Sequence, residues 1–454
     1  MRTNRIIKLF LPAGIILILI LFGCIPKSAF NEEYISGKIQ DRTGYVMNPV
    51  TGDTIFTPPG VLIEDGLTVD ESVSLALLNN QQLKVDFSAL GFARADLIEA
   101  GVIPNPVFSL LFPLGPKQLE FSLSYYAEVI WQRPAKVSAA KLNTEKVAES
   151  LVNNGLALIR DVKINFAELT KLEEQVQILN ETSELSREIE IIAGFRKDAN
   201  DISELEETAF RINSSQAKEA ALVAGKNMEL QKTRFLMMIG LPTYSNDVRL
   251  IQDQVPVGEI PEMDSLIKIA LAYRPDMRAA EIEVEMAGEK LGWERSKIFN
   301  LTAILDANAQ GTEGFEMGPG LALSIPIFNT NQGGRARAKT EMIRSADNYI
   351  LVQQSITGEV RDSWFSYLAS KENYNMLYAD IVKAAELAAD RAESAYLLEE
   401  ISYLEYLDFR RQFLDARIRL SESDAELRKS LANLYYSIGG ELYHVDEKTQ
   451  TDEK

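Results

Sequence analysis

The chain has 454 residues, of which 46% are hydrophobic and 25% charged, and its 47 basic and 66 acidic residues give a net charge of −19. Such an acidic chain lacks the basic face that phosphate binding needs, which argues against a nucleic-acid partner. A single histidine and a single cysteine exclude an intramolecular disulfide and leave little for histidine-based catalysis or a His-rich metal site.

Residues 1–23 have the pattern of a lipoprotein signal peptide. Three basic residues precede an apolar run from Leu9 to Phe22, which at about 14 residues is short for a transmembrane helix. The run ends in Leu21-Phe22-Gly23-Cys24, a sequence similar to a lipobox, so we expect the only cysteine to be acylated and to become the new N-terminus. An uncleaved transmembrane anchor is the alternative. Apart from this covalent lipid, no cofactor is expected.

The next segment, from Ile25 to Gly66, is rich in Gly, Pro, Thr and Asp and is predicted to be irregular. A helix is predicted to start at Thr68, because Thr68 and Glu71 have the spacing of a capping box. Apolar residues at helical spacing continue it until Pro104 and Pro106 end it.

A second, similar unit begins near Asp264. Leu75-Ala76-Leu77 matches Ile269-Ala270-Leu271 at an offset of 194, and the five residues from Ile202 match those from Ile401 at an offset of 199. A duplication explains this spacing. The predicted organisation is a signal peptide at 1–23, a lipidated segment at 24–66, a first repeat at 67–260, a second repeat at 261–440 and an acidic, disordered tail at 441–454.

Each repeat contains two strand-like segments joined by a loop rich in Gly and Pro. These segments are Pro106 to Phe112, Lys117 to Trp131, Asn300 to Gln310 and Pro319 to Phe328. Apolar and polar side chains alternate in two of them, as in a transmembrane barrel strand or a half-buried soluble strand. A membrane barrel needs about eight strands, and open sheet edges are not tolerated in lipid. If these strands enter a membrane, several chains must share one barrel, and three chains would supply twelve strands.

Long helices are predicted at Ala135 to Gly194, Ser203 to Met238, Gly334 to Leu398 and Ile401 to Ile438. The last helix has a seam at seven-residue steps, which runs from Tyr406 to Leu434 and is accompanied by mostly small residues. This repeat indicates knobs-into-holes packing between long helices. A solvated antiparallel coiled coil would give the same pattern, so that alternative stays open.

Four further stretches occur in a characteristic order along the two repeats. They are Phe235 to Pro242, Ile269 to Glu281, Leu323 to Gly334 and Tyr396 to Ala416. With the lipobox ahead of them, they resemble the TolC-like outer-membrane efflux protein family over nearly all of the predicted mature chain. The segment Pro326 to Gly333 is similar to the branch that serves heavy-metal and related resistance-nodulation-division pumps.

The resemblance implies a mainly α fold with a small β part. In a homotrimer, four strands per chain would form a shared twelve-stranded barrel among outer-membrane lipids of a Gram-negative bacterium. Long antiparallel helices would continue it as an α-helical barrel. The implied function is the passive exit duct of a tripartite efflux system, coupled to an inner-membrane pump of the resistance-nodulation-division type through a periplasmic adaptor. Metal ions, drugs, solvents and proteins all use related ducts, so the cargo stays open.

Two acidic residues, Glu405 and Asp408, are the candidates for a periplasmic gate. They lie three residues apart, hence on one helix face, where the family has an acidic ring at its aperture. Threefold symmetry would place six carboxylates around a narrow pore and attract cations. Tyr396 matches a family tyrosine that helps to hold the aperture closed. The alternatives are a solvated charged face for the acids and simple packing for the tyrosine.

The two helix–helix turns are expected to contact the adaptor. The residues concerned are Asp201, Ile202 and Ser203 in the first repeat and Glu400, Ile401 and Ser402 in the second. The sequence departs from the family at Glu399, where glycine is usual, and at Ile401, where one branch has a basic latch residue. An inserted residue before Ile202 is also expected.

Trp131 and the pair Tyr125-Tyr126 fit either a membrane boundary or core packing. Pro134 and Pro326 are expected at strand-to-helix transitions. No nucleophile with a base, phosphate loop or Cys/His cluster is present in the sequence, so an enzyme is not expected. A structural coiled-coil lipoprotein without a pore is the alternative function, although such a protein has no need of two hairpins with a lipid-compatible face.

Overall fold

A computed structural model describes residues 26–47, 56–112, 119–244, 248–253, 260–309 and 315–441. The signal peptide, Cys24 and the tail beyond Glu441 lie outside the described residues. The described part is largely helical and contains a four-stranded antiparallel sheet, which confirms the predicted mainly α class.

The elements follow a repeated order of two helices, two strands and a long helical hairpin. In chain order they are α1 (Glu32–Thr43), α2 (Val69–Asn79), α3 (Gln81–Gly101), β1 (Val107–Leu111), β2 (Leu119–Tyr126), α4 (Val129–Asp198), α5 (Glu204–Met238), α6 (Met263–Tyr273), α7 (Pro275–Ser296), β3 (Leu301–Ala309), β4 (Phe315–Leu323), α8 (Gln332–Met376), a π-helical segment (Leu377–Val382), α9 (Lys383–Leu397) and α10 (Tyr403–Ile438).

The chain divides into two compact units. One comprises residues 1–35, 86–151 and 275–353, and contains the sheet; the other comprises residues 36–85, 152–274 and 354–454. Both sequence repeats contribute to each unit.

The helix predicted from Thr68 is two helices, so that prediction is wrong at Asn80. The backbone of Asn80 is extended, with φ −60° and ψ 120°. Its side-chain amide donates to the Met238 carbonyl at 2.8 Å, and its side-chain oxygen accepts from the Leu83 amide at 2.9 Å. Asn80 therefore ends α2 and caps α3. The capping box of Thr68 and Glu71 is confirmed.

Helix α1 lies in the segment that was expected to be irregular, so that prediction is also wrong. Ile39 is fully buried, and its side chain fills the space above Gly155. Arg42 donates to the carbonyl oxygens of Tyr273 and Gly439, the latter at 3.1 Å. Because a short helix is marginal alone, this docking explains why α1 forms.

Several strand boundaries differ from the prediction, including both ends of β4, which ends at Leu323 rather than at Phe328. Trp131 lies in α4 rather than in β2, and Pro134 is inside the same helix. Strand β4 begins upstream of Pro319, which pairs with Leu305 of β3. Strand β4 is at one end of the order β1-β2-β3-β4, and an edge strand tolerates a residue without an amide hydrogen.

The strand register places most of the apolar residues of the four strands on one face. Phe108 pairs with Leu123, which pairs with Leu305, and Ala303 pairs with Leu321. Since directly paired residues share a face and successive residues alternate, the apolar face also contains Leu110, Phe121, Tyr125, Leu301, Met317, Pro319 and Leu323. The opposite face contains Ser109, Glu120, Ser122, Ser124, Thr302 and Asp306, with Val107, Leu111, Tyr126, Ile304 and Ala322 as exceptions. Among the described strands, none pairs with the outer edge of β1 or β4.

Candidate gate and tips

The ends of the two helical hairpins have the same backbone geometry. We call Ala199–Ser203 the first tip and Leu398–Ser402 the second tip. Asn200 and Glu399 each have φ 60°, in the left-handed region. The amide after each donates back to the preceding helix, from Asp201 to Arg196 at 2.8 Å and from Glu400 to Ala395 at 2.9 Å.

This bonding is the Schellman helix ending. All of these pairs are related by an offset of 199, so the two tips have the same length, and an insertion relative to the family stays a prediction. The usual family glycine at the position of Glu399 has a physical reason, because glycine enters the left-handed region without steric cost.

Each tip leads into its next helix through a capping box. Ser203 and Glu206 form the first, and Ser402 and Glu405 the second. In the second, the Ser402 amide donates to Glu405 Oε2 at 2.8 Å. The Ser402 amide, followed by its hydroxyl, lowers the pKa of the Glu405 carboxyl. The spacing Ser-x-x-Glu occurs at both tips and could have identified this role in the sequence.

Asp408 is exposed on the next turn of α10 and is paired within that helix. Its carboxylate accepts from Arg411 at 2.7 Å and from Gln412 at 2.9 Å. Glu405 and Asp408 therefore both remain exposed, and each has a local partner.

A tyrosine cluster lies beside the second tip. The ring of Tyr396 lies 4.9 Å from that of Tyr403 and 5.8 Å from that of Tyr406. The Tyr403 hydroxyl donates to Glu188 Oε2 at 3.1 Å and so joins α10 to α4. Burial, followed by this bond to a carboxylate, raises the pKa of Tyr403 to about 12. Tyr403 was not among the predicted site residues.

An acidic groove of about 760 Å³ adjoins this cluster. Glu181, Glu184, Glu188 and Glu393 line it together with Arg410. Further along, Arg417 of α10 pairs with Glu181 of α4 at 3.0 Å. The groove therefore lies between helices that already share polar contacts.

The six predicted tip residues flank exposed apolar side chains. Asp201, Ser203, Glu400 and Ser402 are exposed, whereas Ile202 and Ile401 are half-buried. Next to them, Phe195 and Leu205 are 71% and 80% exposed, and Leu397 and Leu398 are 74% and 70% exposed. Large exposed apolar side chains at a helix–helix turn are typical of a contact surface.

Within the described ranges, no three His, Cys, Asp or Glu side chains are grouped so that they could hold a metal ion. Nor does any helix in that part of the chain have the length and apolar character to cross a membrane.

The sequence is similar to known outer-membrane proteins. The family described as outer membrane efflux protein matches residues 266–440. The cobalt-zinc-cadmium resistance protein CzcC of Cupriavidus metallidurans is 24% identical over 387 residues, which cover 84% of this chain and 90% of that protein.

Two solved structures share the fold. The outer membrane protein VceC of Vibrio cholerae has a TM-score of 0.67 at 15% identity, over 82% of this chain and 96% of that chain. The outer membrane channel CmeC of Campylobacter jejuni has a TM-score of 0.66 at 19% identity, over 90% and 97%. The resemblance predicted from the four sequence stretches is confirmed.

Proposed function

The chain belongs to the TolC-like outer membrane efflux protein family, and from this premise we propose that it is the exit duct of a tripartite efflux system. Three copies form a channel in the outer membrane of a Gram-negative bacterium. The channel receives its cargo from an inner-membrane pump through a periplasmic adaptor. Its function is passive conduction.

The observation that carries this proposal is the sheet, which has one largely apolar face and whose two outer edges pair with no other described strand. An apolar face fits lipid and the opposite, more polar face fits a water-filled lumen. In lipid, unpaired backbone groups at the edges of β1 and β4 cost several kcal/mol each. Pairing β1 of one copy with β4 of the next removes both edges, and three copies give a closed barrel of twelve strands, more than the roughly eight of the smallest membrane barrels.

Exposed apolar seams on the helices support the same assembly. Val223, Leu230 and Met237 of α5 are exposed at steps of seven, and so are Ile343 and Ile350 of α8. Such seams pack into neighbouring helices. Second and third copies of the chain are the proposed partners.

The tips are the proposed contact with the adaptor. The exposed side chains of Phe195, Leu205, Leu397 and Leu398 supply apolar surface at both tips. The shared Schellman endings and capping boxes hold the two tips in one geometry, so that three copies would present six equivalent tips to the adaptor. A pump of the resistance-nodulation-division type is the proposed source of cargo.

Glu405, Asp408 and Tyr396 are the proposed gate. Both carboxylates are exposed on one helix face, which suits an acidic ring around an aperture. The ring contacts of Tyr396 with Tyr403 and Tyr406 support a role in fixing the closed position of the second tip.

We also propose that Cys24 carries the lipid anchor. Pro26, the third residue of the predicted mature chain, packs against Gly101 at the end of α3. Gly101 accepts a hydrogen bond from Arg133 near the start of α4 at 2.8 Å. Pro26 therefore lies close to the level at which the helices meet the strands, and a lipid anchor just before it in the chain suits a membrane leaflet at that level.

Divalent metal cations are the proposed cargo. The relative CzcC is named for resistance to cobalt, zinc and cadmium. Loss of the gene should lower tolerance to these metals, and a plasmid copy should restore it. Unchanged metal tolerance with lowered drug tolerance would instead assign drugs as the cargo.

The duct is tested by two substitutions on adjacent residues of β3. Leu305→Arg places a charge on the apolar face, where arginine costs about 2–4 kcal/mol at the bilayer midplane, and should abolish membrane assembly. Ile304→Arg on the opposite face should still assemble and shift the ion selectivity in planar bilayers. Equal assembly of both variants, or a wild-type chain that stays monomeric and non-conducting, contradicts the proposal.

A further inference from the structure

Exposed cations gather where the strands meet the helices, although the chain is strongly acidic. Arg295 is near the end of α7, and Arg335 and Lys339 are in the first two turns of α8. All three are exposed, and none forms an ion pair with another described residue. Nearby lysines are paired, Lys290 with Glu341 at 2.8 Å and Lys297 with Glu294 at 2.5 Å.

Contacts between α7 and the start of α8 bring these three cations to one region, within about two helical turns, which we call the basic belt (Arg295, Arg335 and Lys339). The Asn331 side chain donates to the Glu294 backbone carbonyl at 2.8 Å and to Glu294 Oε2 at 2.7 Å. The Ser324 amide donates to the Asn300 carbonyl at 3.1 Å, just beyond the ends of β3 and β4. The belt therefore lies next to one end of the sheet.

Apolar and aromatic side chains accompany the belt. Ile325, Ile327 and Phe328 follow β4 and are strongly exposed, Phe328 by 92%. The indole of Trp131 donates to the Ser296 carbonyl at 3.3 Å, and Trp293 lies under the Lys297 ammonium. Indole rings with one polar and one apolar side are typical of the boundary between lipid and water.

We propose that the basic belt binds the phosphate groups of anionic phospholipids in the membrane leaflet at this end of the sheet. This rests on the proposed insertion of the sheet in a membrane. Unpaired cations complement an anionic lipid surface, and the neighbouring apolar side chains enter its acyl region. The rest of the acidic chain is repelled by the same surface, so the belt fixes how deeply the sheet is inserted.

The test uses tryptophan fluorescence, because two of the three tryptophans, Trp131 and Trp293, are near the belt. In the full chain carrying Trp364→Phe, quenching by brominated phosphatidylglycerol is compared with quenching by brominated phosphatidylcholine in mixed bilayers. We expect at least a fivefold preference for phosphatidylglycerol, which is about the effect of one cation near an anionic surface.

The belt variant Arg295→Gln, Arg335→Gln, Lys339→Gln should lose this preference. The charge-matched control Arg211→Gln, Lys218→Gln, Lys226→Gln removes three exposed cations of α5 and should keep it. Equal quenching by both lipids in the Trp364→Phe chain, or a belt variant that retains the preference, overturns the proposal. Displacement of the lipid by inorganic phosphate also overturns it, since the site would then serve a soluble anion.

Conductance of the same samples separates this proposal from the proposed duct. A conducting trimer without lipid preference overturns the basic belt alone. A protein that never conducts overturns the duct, whatever its lipid preference.

Discussion

Glu405 and Ser402 hydrogen-bond to each other in both directions at the start of α10. The Ser402 amide donates to Glu405 Oε2 at 2.8 Å, and the Glu405 amide donates to Ser402 Oγ at 3.2 Å. The carboxylate proposed for the gate is therefore also part of a helix cap. An alanine at position 405 removes both functions at once, so charge and cap must be separated experimentally.

Glutamine at position 405 achieves this separation, because Gln can replace Glu in a capping box. Glu405→Gln should lower the cation preference of single channels and leave thermal stability nearly unchanged. Ser402→Ala should leave the cation preference nearly unchanged. It should lower the stability by about 1 kcal/mol, because the helix cap is missing. Glu206→Gln in the first tip is the matched control for charge. An equal loss of cation preference in Glu206→Gln and Glu405→Gln would remove the special role of Glu405.

The lowered pKa of Glu405 predicts how the gate responds to acid. The fold favours the ionised carboxylate, so the cap contributes stability at pH values above the unfolded pKa, and this contribution is lost as the pH falls through the folded pKa. In the Asp408→Asn background, the cation preference due to Glu405 should persist at pH 5 and disappear only below the ordinary glutamate value of 4.5. Single-channel reversal potentials between pH 7 and 3 measure this. The double variant Glu405→Gln, Asp408→Asn should show none of this pH dependence, and a preference already lost at pH 5 would contradict the assignment.

The contact between Tyr403 and Glu188 predicts a restraint on the second tip. Tyr403→Phe keeps the ring contacts and removes one hydrogen bond, which is worth about 1 kcal/mol at a partly exposed position. We expect more frequent or larger openings in bilayer recordings. Glu188→Gln retains an acceptor and should have a smaller effect. Unchanged openings in Tyr403→Phe would exclude the contact as a restraint.

The same tyrosine also gives an expectation at high pH. Because its pKa is raised to about 12 in the folded protein, the protonated phenol contributes stability below the ordinary value of 10. This contribution is lost as the pH rises through 12, so the wild type and Tyr403→Phe should become equally stable there.

The sequence predicted the parts of the fold that depend on local patterns. The Thr68 capping box and the alternation in β2 and β3 are local, and both are found in the structure. The long helical hairpins also appear close to their predicted bounds. The sequence also located the tip residues and Glu405 at the helix–helix turns. It did not predict that Glu405 caps α10, although the Ser-x-x-Glu spacing of Ser402 and Glu405 indicates a capping box.

Features that depend on contacts between distant residues could not be predicted in this way. Tyr403 and Glu188 are 215 positions apart, and no local pattern joins them. Helix α1 forms because Ile39 and Arg42 dock on other segments. Strand β4 contains Gly318-Pro319-Gly320, which resembles a loop in sequence and is a strand because β3 supplies its pairing. Arg335 forms no ion pair with another described residue, and this too depends on which distant carboxylates the fold brings near it.

The exposed seam of α5 predicts a residue on which assembly depends. Leu230→Glu should prevent trimer formation while leaving the helical content intact, because a charge would replace an apolar side chain of the proposed interface between copies. Lys218 lies about 120° away from Leu230 around the same helix. Lys218→Glu changes the charge more than Leu230→Glu does, so it is a demanding control, and this variant should still form trimers. Chemical crosslinking of purified outer membranes measures the outcome. Equal trimer yields in both variants would show that the seam is not an interface.

The left-handed conformation of Glu399 predicts that one substitution stabilises the second tip. A non-glycine residue at φ 60° costs about 1–2 kcal/mol in the folded protein, and glycine avoids this cost. Glycine also makes the unfolded chain more flexible, which offsets part of the stabilisation. Glu399→Gly should therefore slow hydrogen exchange of the first amides of α10, with a net gain of about 0.5–1 kcal/mol. Asn200→Gly in the first tip should gain less, because asparagine enters this region more easily than glutamate. An equal gain at both tips would mean that the side chain at position 399 does not strain the turn.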